Sequence, residues 1–409
     1  MFKGLFDFKN QSIEFKWSIL IPVIFYIIIG LFALSSTSNF DNFITSTFYK
    51  QLLWLFIGSI AFILVQYVRV QYLNDYSYIL FFLLFVLILS TQFSPIIEGS
   101  QRWIIIGGLY FQPSELGKII YVLGLSRVFS DYKIKNKFSL LYFLILFIAS
   151  IPPLLVFIQP DLGTAIIYLS LIIPILFWSK FEIKLILLLV APMISMIAVF
   201  NIYFYYLWMI FLVIYIILIN EKLYIRIINL ILNFSAAIIS PFIWDSILKQ
   251  HQRNRIETFL DPFSDPLGNG YQVIQSMITI GSGGFWGKGI GNGTQTHLEF
   301  LPVRDTDFIV SVVSEEMGFF VIFLIMVSLA WMTYRIFDYA QRIENEYAST
   351  VLIGLFSIIF MHFIINLSMI AGLLPVTGLP VPFISYGGTF FLTCSIILGL
   401  INNIINNQI

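Results

Sequence analysis

Long apolar runs separated by short polar connections dominate this chain. Twelve runs are long enough for helices that cross a hydrocarbon layer, which takes about 20 residues. They lie at 17–36, 49–68, 76–93, 114–131, 138–158, 161–179, 184–200, 203–219, 226–247, 307–334, 348–373 and 383–401. The pattern predicts an all-α polytopic membrane protein, whose neighbouring helices are mostly antiparallel because their connections are short.

One long polar segment, Leu248 to Asp305, interrupts this pattern between the ninth and tenth runs. Nine of the 25 glycines fall between Gly268 and Gly293, so the backbone there turns tightly or approaches another group closely. A loop of this length is usually either functional or disordered. Its aromatic residues, Trp286 among them, argue against disorder, so we expect an ordered functional loop.

The composition supports a membrane protein and narrows the classes of partner. Hydrophobic residues make up 59% of the chain and charged residues 11%, whereas soluble domains carry about 25% charged residues. The net charge of zero gives no reason to propose nucleic acid as a partner. The single cysteine, Cys394, cannot form an internal disulfide.

The basic residues predict the orientation. If the N-terminus is cytoplasmic, fourteen of the 22 lysines and arginines fall on the cytoplasmic side, as the positive-inside rule favours. This topology divides the chain into a cytoplasmic tail at 1–16, helices at 17–247, an extracytoplasmic loop at 248–305, helices at 306–401 and a cytoplasmic tail at 402–409.

Candidate chemistry is confined to carboxylates, bases and amides, since no metal-ligand spacing, Walker loop or dinucleotide fingerprint is present. Glu115 and Lys118 are three residues apart at a helix start, so they share a face. They are either a local ion pair or functional groups, as ionisable residues in a span usually are. Asp161 either caps the next helix or takes part in a site.

Two aspartates of the loop, Asp261 and Asp265, each precede a proline. Either one matches a helix N-cap followed by proline. The functional alternative is a carboxylate base beside a cleft, with cations nearby to hold phosphate. The nearby cations are Arg253, Arg255, Lys288 and Arg304.

Two further features need partners or protection inside a membrane. The adjacent carboxylates Glu315 and Glu316 lie within an apolar run, so at least one should have a partner or face water, and Arg102 and Lys118 are the candidates. Three prolines and three glycines between Leu374 and Gly388 force irregular backbone, which is either a structural re-entrant turn or lines a substrate path.

Together these segments resemble the SEDS family (shape, elongation, division and sporulation proteins). The matching pieces keep the family's order across nearly the whole chain. They are Arg102-Trp103, Gln112-Pro-Ser-Glu-x-x-Lys118, Gln159-Pro-Asp-Leu-Gly-Thr164, Asp265-Pro-Leu-Gly-x-Gly-Tyr-Gln272, Gln275-Ser276, Thr306-Asp-Phe308, Glu315-x-x-Gly318 and Gly378-Leu-Pro-x-Pro-Phe-x-Ser-Tyr-Gly-Gly388. The run from Gly281 to Gly289 is similar to the RodA (elongation) branch.

The resemblance implies a helical bundle and a peptidoglycan glycosyltransferase that polymerises lipid II at the outer face of the bacterial cytoplasmic membrane. Asp265 matches the family's catalytic aspartate and would act as general base, with undecaprenyl diphosphate as leaving group, whereas Asp261 aligns with a more variable position. The expected substrate-binding residues are Arg102, Glu115, Lys118, Asp161, Arg255, Gln272, Gln275, Ser276, Lys288, Arg304 and Ser385. No cofactor is expected, and a divalent cation (Mg²⁺ or Mn²⁺) bound with the diphosphate stays open.

The resemblance also implies partners and leaves alternatives. The family works with a single-span class B penicillin-binding transpeptidase and other elongation-complex proteins. A lipid II flippase, a division-type (FtsW-like) polymerase and a scaffold are the other interpretations.

The sequence departs from the family pattern in two places. The family has ten spans, so 184–219 is expected to be an inserted pair of helices, and Asp305 stands where the family commonly has histidine.

Overall fold

The computed structural model describes residues 13–38, 46–95, 101–106, 109–131, 140–219, 222–268, 270–298, 300–301 and 303–408. Within these residues the chain forms fifteen α-helices and a two-stranded sheet. The helices are α1 Trp17–Thr37, α2 Thr47–Val65, α3 Val70–Ser90, α4 Pro113–Asp131, α5 Leu140–Ile158, α6 Leu162–Trp178, α7 Ile183–Ala198, α8 Ile202–Leu218, α9 Leu223–Phe242, α10 Gln250–Leu260, α11 Tyr271–Gly283, α12 Thr294–His297, α13 Ile309–Arg342, α14 Glu346–Ile370 and α15 Gly388–Gln408. The predicted tail up to residue 12 and the loop lysines Lys133, Lys135 and Lys137 lie outside the described residues.

Every predicted span overlaps one helix of the set α1 to α9 and α13 to α15. Seven of the described helices are long and apolar enough to cross a membrane, and four shorter ones are also apolar. The helical membrane architecture is therefore confirmed, while the number of twelve crossings stays a prediction. The helix α4 is more polar than these eleven helices, because it carries Glu115 and Lys118 near its start and Arg127 and Asp131 near its end.

The helix α14 lies at the centre of the bundle. In the most apolar stretch of α14, 83% of the residues are buried, whereas in the corresponding stretch of α2 only 11% are buried. It packs against α4, α6, α13 and α15, so protein and not lipid surrounds its polar side chains His362 and Asn366. Both ring nitrogens of His362 and the side-chain N–H₂ of Asn366 have hydrogen-bond partners within the bundle, as polar groups at membrane depth require.

The predicted inserted pair, α7 and α8, lies at the periphery. The helix α7 packs along α9, whereas only Leu212 and Ile216 of α8 are buried. A polar contact joins all three helices, because Ser195 Oγ donates to Asn233 Oδ1 at 2.6 Å and accepts from Trp208 Nε1 at 2.9 Å. The exposed apolar faces of α8 suit a lipid environment.

The polar segment after α9 contains three short helices, α10, α11 and α12, and a 3₁₀ turn at Pro262–Ser264. Its described parts are thus folded, and α11 packs against α13. Ahead of α4, strands β1 (Ile104–Ile106) and β2 (Leu109–Phe111) form an antiparallel hairpin. The all-α prediction missed this hairpin, which consists of β-branched, leucine and aromatic residues of the kind that favour strands.

The predicted C-terminal tail at 402–409 is helical as far as Gln408. Within it, Asn403 Nδ2 donates to the backbone oxygens of Val65, Gln66 and Val68 at 2.7 to 2.8 Å. The Val65 carbonyl belongs to the last residue of α2 and also accepts from the Val68 N–H at 3.1 Å, while Gln66 and Val68 follow the helix. The last turns of α15 therefore cap α2 rather than form a separate tail.

Candidate functional site

Polar side chains from separate parts of the chain meet where α4 and α6 begin. Asp161 immediately precedes α6, and its Oδ2 accepts a hydrogen bond from Gln112 Nε2 at 2.9 Å. Arg102 Nη1 lies 3.7 Å from the same oxygen, and the side chains of Asp161 and Arg102 are 5% and 28% exposed. Arg102 thus has a buried anion on one side and solvent on the other.

Asp161 is also the N-cap of α6, as the structural interpretation of the sequence predicted. Its Oδ1 accepts from the Thr164 backbone N–H at 3.1 Å, and its Oδ2 accepts from Thr164 Oγ1 at 2.9 Å. Because both oxygens accept hydrogen bonds, Asp161 is a fixed anchor for Arg102. The two interpretations of Asp161 are therefore compatible.

Arg255, on α10, belongs to the same electrostatic group. Surrounding protein atoms partly desolvate its guanidinium and lower its pKa, and the positive charge of Arg102 acts in the same direction. Asp307 and Asp161 oppose this shift. We call Arg102, Arg255, Asp161 and Asp307 the arginine cluster. Two cations near each other at a partly open position favour the binding of an anion.

Asp265 lies in an exposed turn between the 3₁₀ helix and α11. Its Oδ1 accepts the Gly268 backbone N–H at 3.1 Å. A Cβ atom on Gly268 would lie 2.3 Å from Asp265 Oδ2, so glycine is needed to leave the carboxylate in this position. By contrast, Asp261 caps the 3₁₀ helix by accepting from Phe263 N–H. The predicted cap is thus present for Asp261, while Asp265 closes a turn instead.

Lys118 is completely buried within the bundle, where three groups surround its ammonium. Its Nζ lies 2.8 Å from Glu115 Oε2 and 2.9 Å from His362 Nε2, and the Phe390 ring centroid is 5.5 Å away. The Pro380 carbonyl lies 3.1 Å from His362 Nδ1. Since that carbonyl can only accept and the ammonium can only donate, His362 is neutral with its proton on Nδ1.

The local ion pair predicted for Glu115 and Lys118 is therefore present, and His362 extends it to the segment after α14. His362 was not among the site residues predicted from the sequence. The signal was available, because His362 lies one turn from Asn366 on an apolar helix, and ionisable groups in such helices usually have a specific partner.

Glu315 is fully buried and anchors the glycine-rich part of the loop. Its Oε1 accepts from Lys288 Nζ at 2.8 Å and from the Gln295 N–H at 3.0 Å, and its Oε2 accepts from Thr296 N–H and Oγ1 at 3.1 and 2.8 Å. The prediction that one of the two adjacent glutamates has a partner is confirmed. The candidates Arg102 and Lys118 were wrong, because the partner is Lys288, 27 residues away in the chain.

The helix α13 is broken at Gly318, which has a φ of 79° and a ψ of 175°. Backbone groups of the glycine-rich loop fill the break. The Lys288 and Gly289 N–H groups donate to the carbonyls of Glu315 and Glu316 at 2.9 Å, and the Phe319 N–H donates to Gly284 O at 2.9 Å. These bonds replace those that the break removes, which a buried or membrane-embedded backbone requires.

The remaining loop residues hold the segment before α13 in place. Arg304 Nη1 donates to the Thr296 carbonyl, and its Nη2 lies 3.3 Å from the Thr37 carbonyl. Glu316 Oε1 accepts from Ser36 Oγ. Asp305, at the position of the family's histidine, accepts from Thr47 Oγ1 at 2.9 Å.

The predicted serines are buried between elements. Ser276 Oγ is 2.8 Å from Ser311 Oγ and donates to the Ile370 carbonyl at 3.0 Å, so it joins α11, α13 and α14. Ser385 Oγ donates to the Thr306 carbonyl at 2.7 Å and thereby ties the Leu374–Gly388 segment to the start of α13. Gln272 and Gln275 are half-buried on α11. Their predicted contacts with substrate stay predictions.

The structure thus sorts the predicted residues into separate groups. Arg102, Asp161 and Arg255 come together, joined by Asp307, which was not among the predicted site residues. Glu115 and Lys118 form a buried group with His362. Lys288 and Arg304, proposed from sequence as phosphate-binding cations, hold the loop through Glu315 and backbone carbonyls.

No three His, Cys, Asp or Glu side chains form a metal-binding group in the described part of the chain. The oxygens of Asp161 and of Glu315 already accept hydrogen bonds from Gln112, Thr164, Lys288 and Thr296. A divalent cation arriving with a diphosphate would take its ligands mainly from phosphate and water. Dependence on such a cation stays a prediction.

Comparison with known proteins identifies the family. A family model described as "Cell cycle protein", covering FtsW, RodA and SpoVE, matches residues 16–210 and 203–408. Peptidoglycan glycosyltransferase MrdB of Escherichia coli (strain K12) is 33% identical over 333 residues, which are 80% of this chain and 76% of that protein. The probable peptidoglycan glycosyltransferase FtsW of Enterococcus hirae is 30% identical over 98% of this chain and 94% of that protein.

Solved structures share the fold. One chain, from a structure described as "Structural coordination of polymerization and crosslinking by a peptidoglycan synthase complex", has a TM-score of 0.70 and 24% identity over 97% of this chain and 99% of its own length. Rod shape determining protein RodA of Thermus thermophilus has a TM-score of 0.63 and 20% identity over 98% of both chains. Given the family match along nearly its whole length, this chain belongs to the FtsW, RodA and SpoVE family of cell cycle proteins.

Proposed function

We propose that this protein is a peptidoglycan glycosyltransferase that polymerises lipid II during cell elongation. Membership of the family and the names of its relatives support the activity. The proposed location is the bacterial cytoplasmic membrane, with both termini inside and the loop between α9 and α13 outside. That sidedness follows from the distribution of basic residues. A class B penicillin-binding transpeptidase is the proposed partner.

The observation that carries the mechanism is the arginine cluster. Arg102 and Arg255 come from distant parts of the chain, and the positive charge of Arg102 helps to lower the pKa of Arg255. A diphosphate that contacts both guanidinium groups would oppose the desolvation that lowers the Arg255 pKa, as Asp307 and Asp161 already do. Guanidinium groups also match phosphate geometry well. Because charge builds up on the diphosphate as it departs, the two arginines would stabilise the transition state more than the ground state.

In the proposed reaction Asp265 acts as general base. It accepts the proton of the 4-hydroxyl of the acceptor's N-acetylglucosamine, and that oxygen forms a bond to the anomeric carbon of the donor's N-acetylmuramic acid. The bond from this carbon to the phosphate oxygen breaks, and the electron pair leaves with undecaprenyl diphosphate. The anomeric centre is inverted in this single displacement. The leaving group is stable as an anion, so no general acid is needed.

The geometry at Asp265 suits a base that is reached from outside the bundle. Its carboxylate is exposed, and its Oδ1 accepts a backbone N–H, which fixes the orientation of the side chain. The Oδ2 atom faces the space that the missing side chain of Gly268 leaves open. A carboxylate held in this way can accept a proton without first changing its rotamer.

Polymerisation in detergent tests the proposal. The purified protein with its transpeptidase partner is incubated with labelled lipid II in micelles, where no sealed compartment exists. Glycan strands are expected, because bond formation needs no membrane barrier. If a control polymerase works under the same conditions and this protein forms no polymer, the glycosyltransferase function is wrong and a lipid II flippase becomes the better account.

A further inference from the structure

A cavity of about 500 Å³ lies at the helix ends opposite to the arginine cluster. The ends of α4 and α6, the end of α13 and the start of α14 surround it. Its wall is built by hydrogen bonds, because Trp178 Nε1 donates to Ser349 Oγ, which in turn donates to the Ala340 carbonyl, both at 2.7 Å. The volume falls in the range of small-molecule sites.

Lys180, at the rim of this cavity, occupies a backbone position that normally suits glycine. The helix α6 ends in a Schellman motif, in which the Lys180 N–H bonds to Phe177 O and the Phe181 N–H bonds to Leu176 O. The residue between the cap and Phe181 must then be left-handed, and Lys180 has a φ of 60°. A lysine there is strained where glycine would not be. A function of the Lys180 side chain at the cavity would explain why lysine and not glycine occupies this position.

The rest of the charged lining is anionic. Glu344 and Glu346 line the cavity on the side formed by the turn between α13 and α14. Among the described residues, neither the Lys180 ammonium nor the Glu344 carboxylate forms an ion pair. The hydroxyls of Ser130 and Ser179 already donate to the carbonyls of Arg127 and Ile175, so they face the cavity as acceptors.

From this lining we propose that the cavity binds the headgroup of a zwitterionic phospholipid with a primary ammonium. The phosphodiester would accept from Lys180, and the ammonium would donate to Glu344 and to the hydroxyl oxygens of Ser130 and Ser179. The location of the cavity also suits a lipid headgroup, because the ends of membrane helices lie at headgroup depth. Phe177, on the cavity wall, is 51% exposed. This inference is independent of the proposed glycosyl transfer.

The same lining disfavours other headgroups. An anionic lipid without an ammonium would bring its phosphate to Lys180 but leave the Glu344 carboxylate facing negative charge. A choline headgroup carries the matching charges but cannot donate hydrogen bonds to the acceptors. The order of binding is therefore phosphatidylethanolamine, then phosphatidylcholine, then phosphatidylglycerol.

Native mass spectrometry of the purified full-length protein, titrated with each of these three lipids, tests this order. Lys180→Gly and Glu344→Gln are each expected to weaken phosphatidylethanolamine binding roughly fivefold, the upper range for an ion pair at a half-open site. Lys222→Ala removes another cation from the same end of the bundle and should change nothing. Because glycine relieves the left-handed strain, Lys180→Gly should leave the melting temperature unchanged or raise it, so loss of lipid cannot be ascribed to unfolding.

Equal binding of the three lipids to the wild type, or unchanged binding by both variants, would overturn the proposal. In a second experiment, a photoreactive benzophenone side chain replaces Phe177 and crosslinks the occupant of the cavity in intact membranes. An ethanolamine phospholipid adduct supports the proposal. A polypeptide adduct contradicts it and makes the cavity a docking site for a partner's segment. Polymerase activity is measured separately in detergent, so failure of that activity would not alter either lipid result.

Discussion

Lys118 and His362 join two buried helices through a hydrogen bond of 2.9 Å between Nζ and Nε2, and Lys118 Nζ also lies 2.8 Å from Glu115 Oε2. His362 in turn donates to the Pro380 carbonyl. The segment that contains Pro380 is bonded to the start of α13 through Ser385. The buried ion pair is therefore connected, bond by bond, to backbone next to Asp307 of the arginine cluster.

Replacing His362 tests this connection. His362→Leu removes the acceptor of a buried ammonium and should destabilise the protein by about 1–3 kcal/mol, the cost of an unsatisfied buried polar group. His362→Gln offers both a carbonyl oxygen for Lys118 and an N–H for Pro380, so it should retain most of the stability. Thermal unfolding in detergent measures both. Equal melting temperatures for the leucine variant and the wild type would show that the bond is dispensable.

Gly318→Ala should displace the glycine-rich loop. A Cβ at this position would lie 2.3 Å from the backbone N of Gly287 and 2.5 Å from the Phe285 carbonyl, and the positive φ adds strain of about 1–3 kcal/mol. Faster hydrogen exchange at 284–289 and reduced polymerisation are expected. Gly281→Ala is the matched control, since no atom lies within 4 Å of its Cβ and it is helical. Similar exchange in both variants would contradict the role given to the break.

Gly268→Ala should separate activity from stability. The added Cβ would meet the Asp265 carboxylate, which lies at the end of an exposed side chain and can rotate away at little cost to folding. The melting temperature should therefore stay close to that of the wild type, while the polymerisation rate falls at least tenfold because the base leaves its position. An alanine variant with full activity would mean that the observed orientation of Asp265 does not matter.

Arg255→Ala and Arg102→Ala should each lower kcat/KM for lipid II roughly 10- to 100-fold, as expected for the loss of a charged hydrogen bond worth about 1.5–3 kcal/mol. Arg253→Gln provides a control on the same helix. The Arg253 guanidinium bonds to the carbonyls of Leu248 and Asp245 and is thus already used. If the Arg253 variant lost as much activity as the other two, general destabilisation of α10 would explain the result better than diphosphate binding.

Local patterns were sufficient for much of this architecture. Apolar runs located the helices α1 to α9 and α13 to α15, and Asp161 was correctly predicted as a helix cap. The three-residue spacing of Glu115 and Lys118 was enough to predict their ion pair. Each of these features depends on residues that are close in the sequence, so the sequence contains the necessary information directly.

Other features depend on distant parts of the chain. The partner of Glu315 is Lys288, which reaches it only because the glycine-rich loop returns to the break in α13. A single glycine, Gly318, gave no local sign of that break. Arg255 and Asp307 likewise approach Arg102 only in the folded bundle. Predicting these contacts requires the packing of the helices, which hydrophobic periodicity does not specify.

The proposed role of Asp265 as general base is tested most directly by comparing polymer formation by Asp265→Asn and Asp261→Asn. Asparagine keeps an oxygen that can accept the Gly268 N–H, so the turn should persist, but it cannot accept the proton of the attacking hydroxyl. With labelled lipid II, the Asp265 variant should be slower by about 10²- to 10⁴-fold and the Asp261 variant close to the wild type. Polymerisation by Asp265→Asn at the wild-type rate would contradict the mechanism.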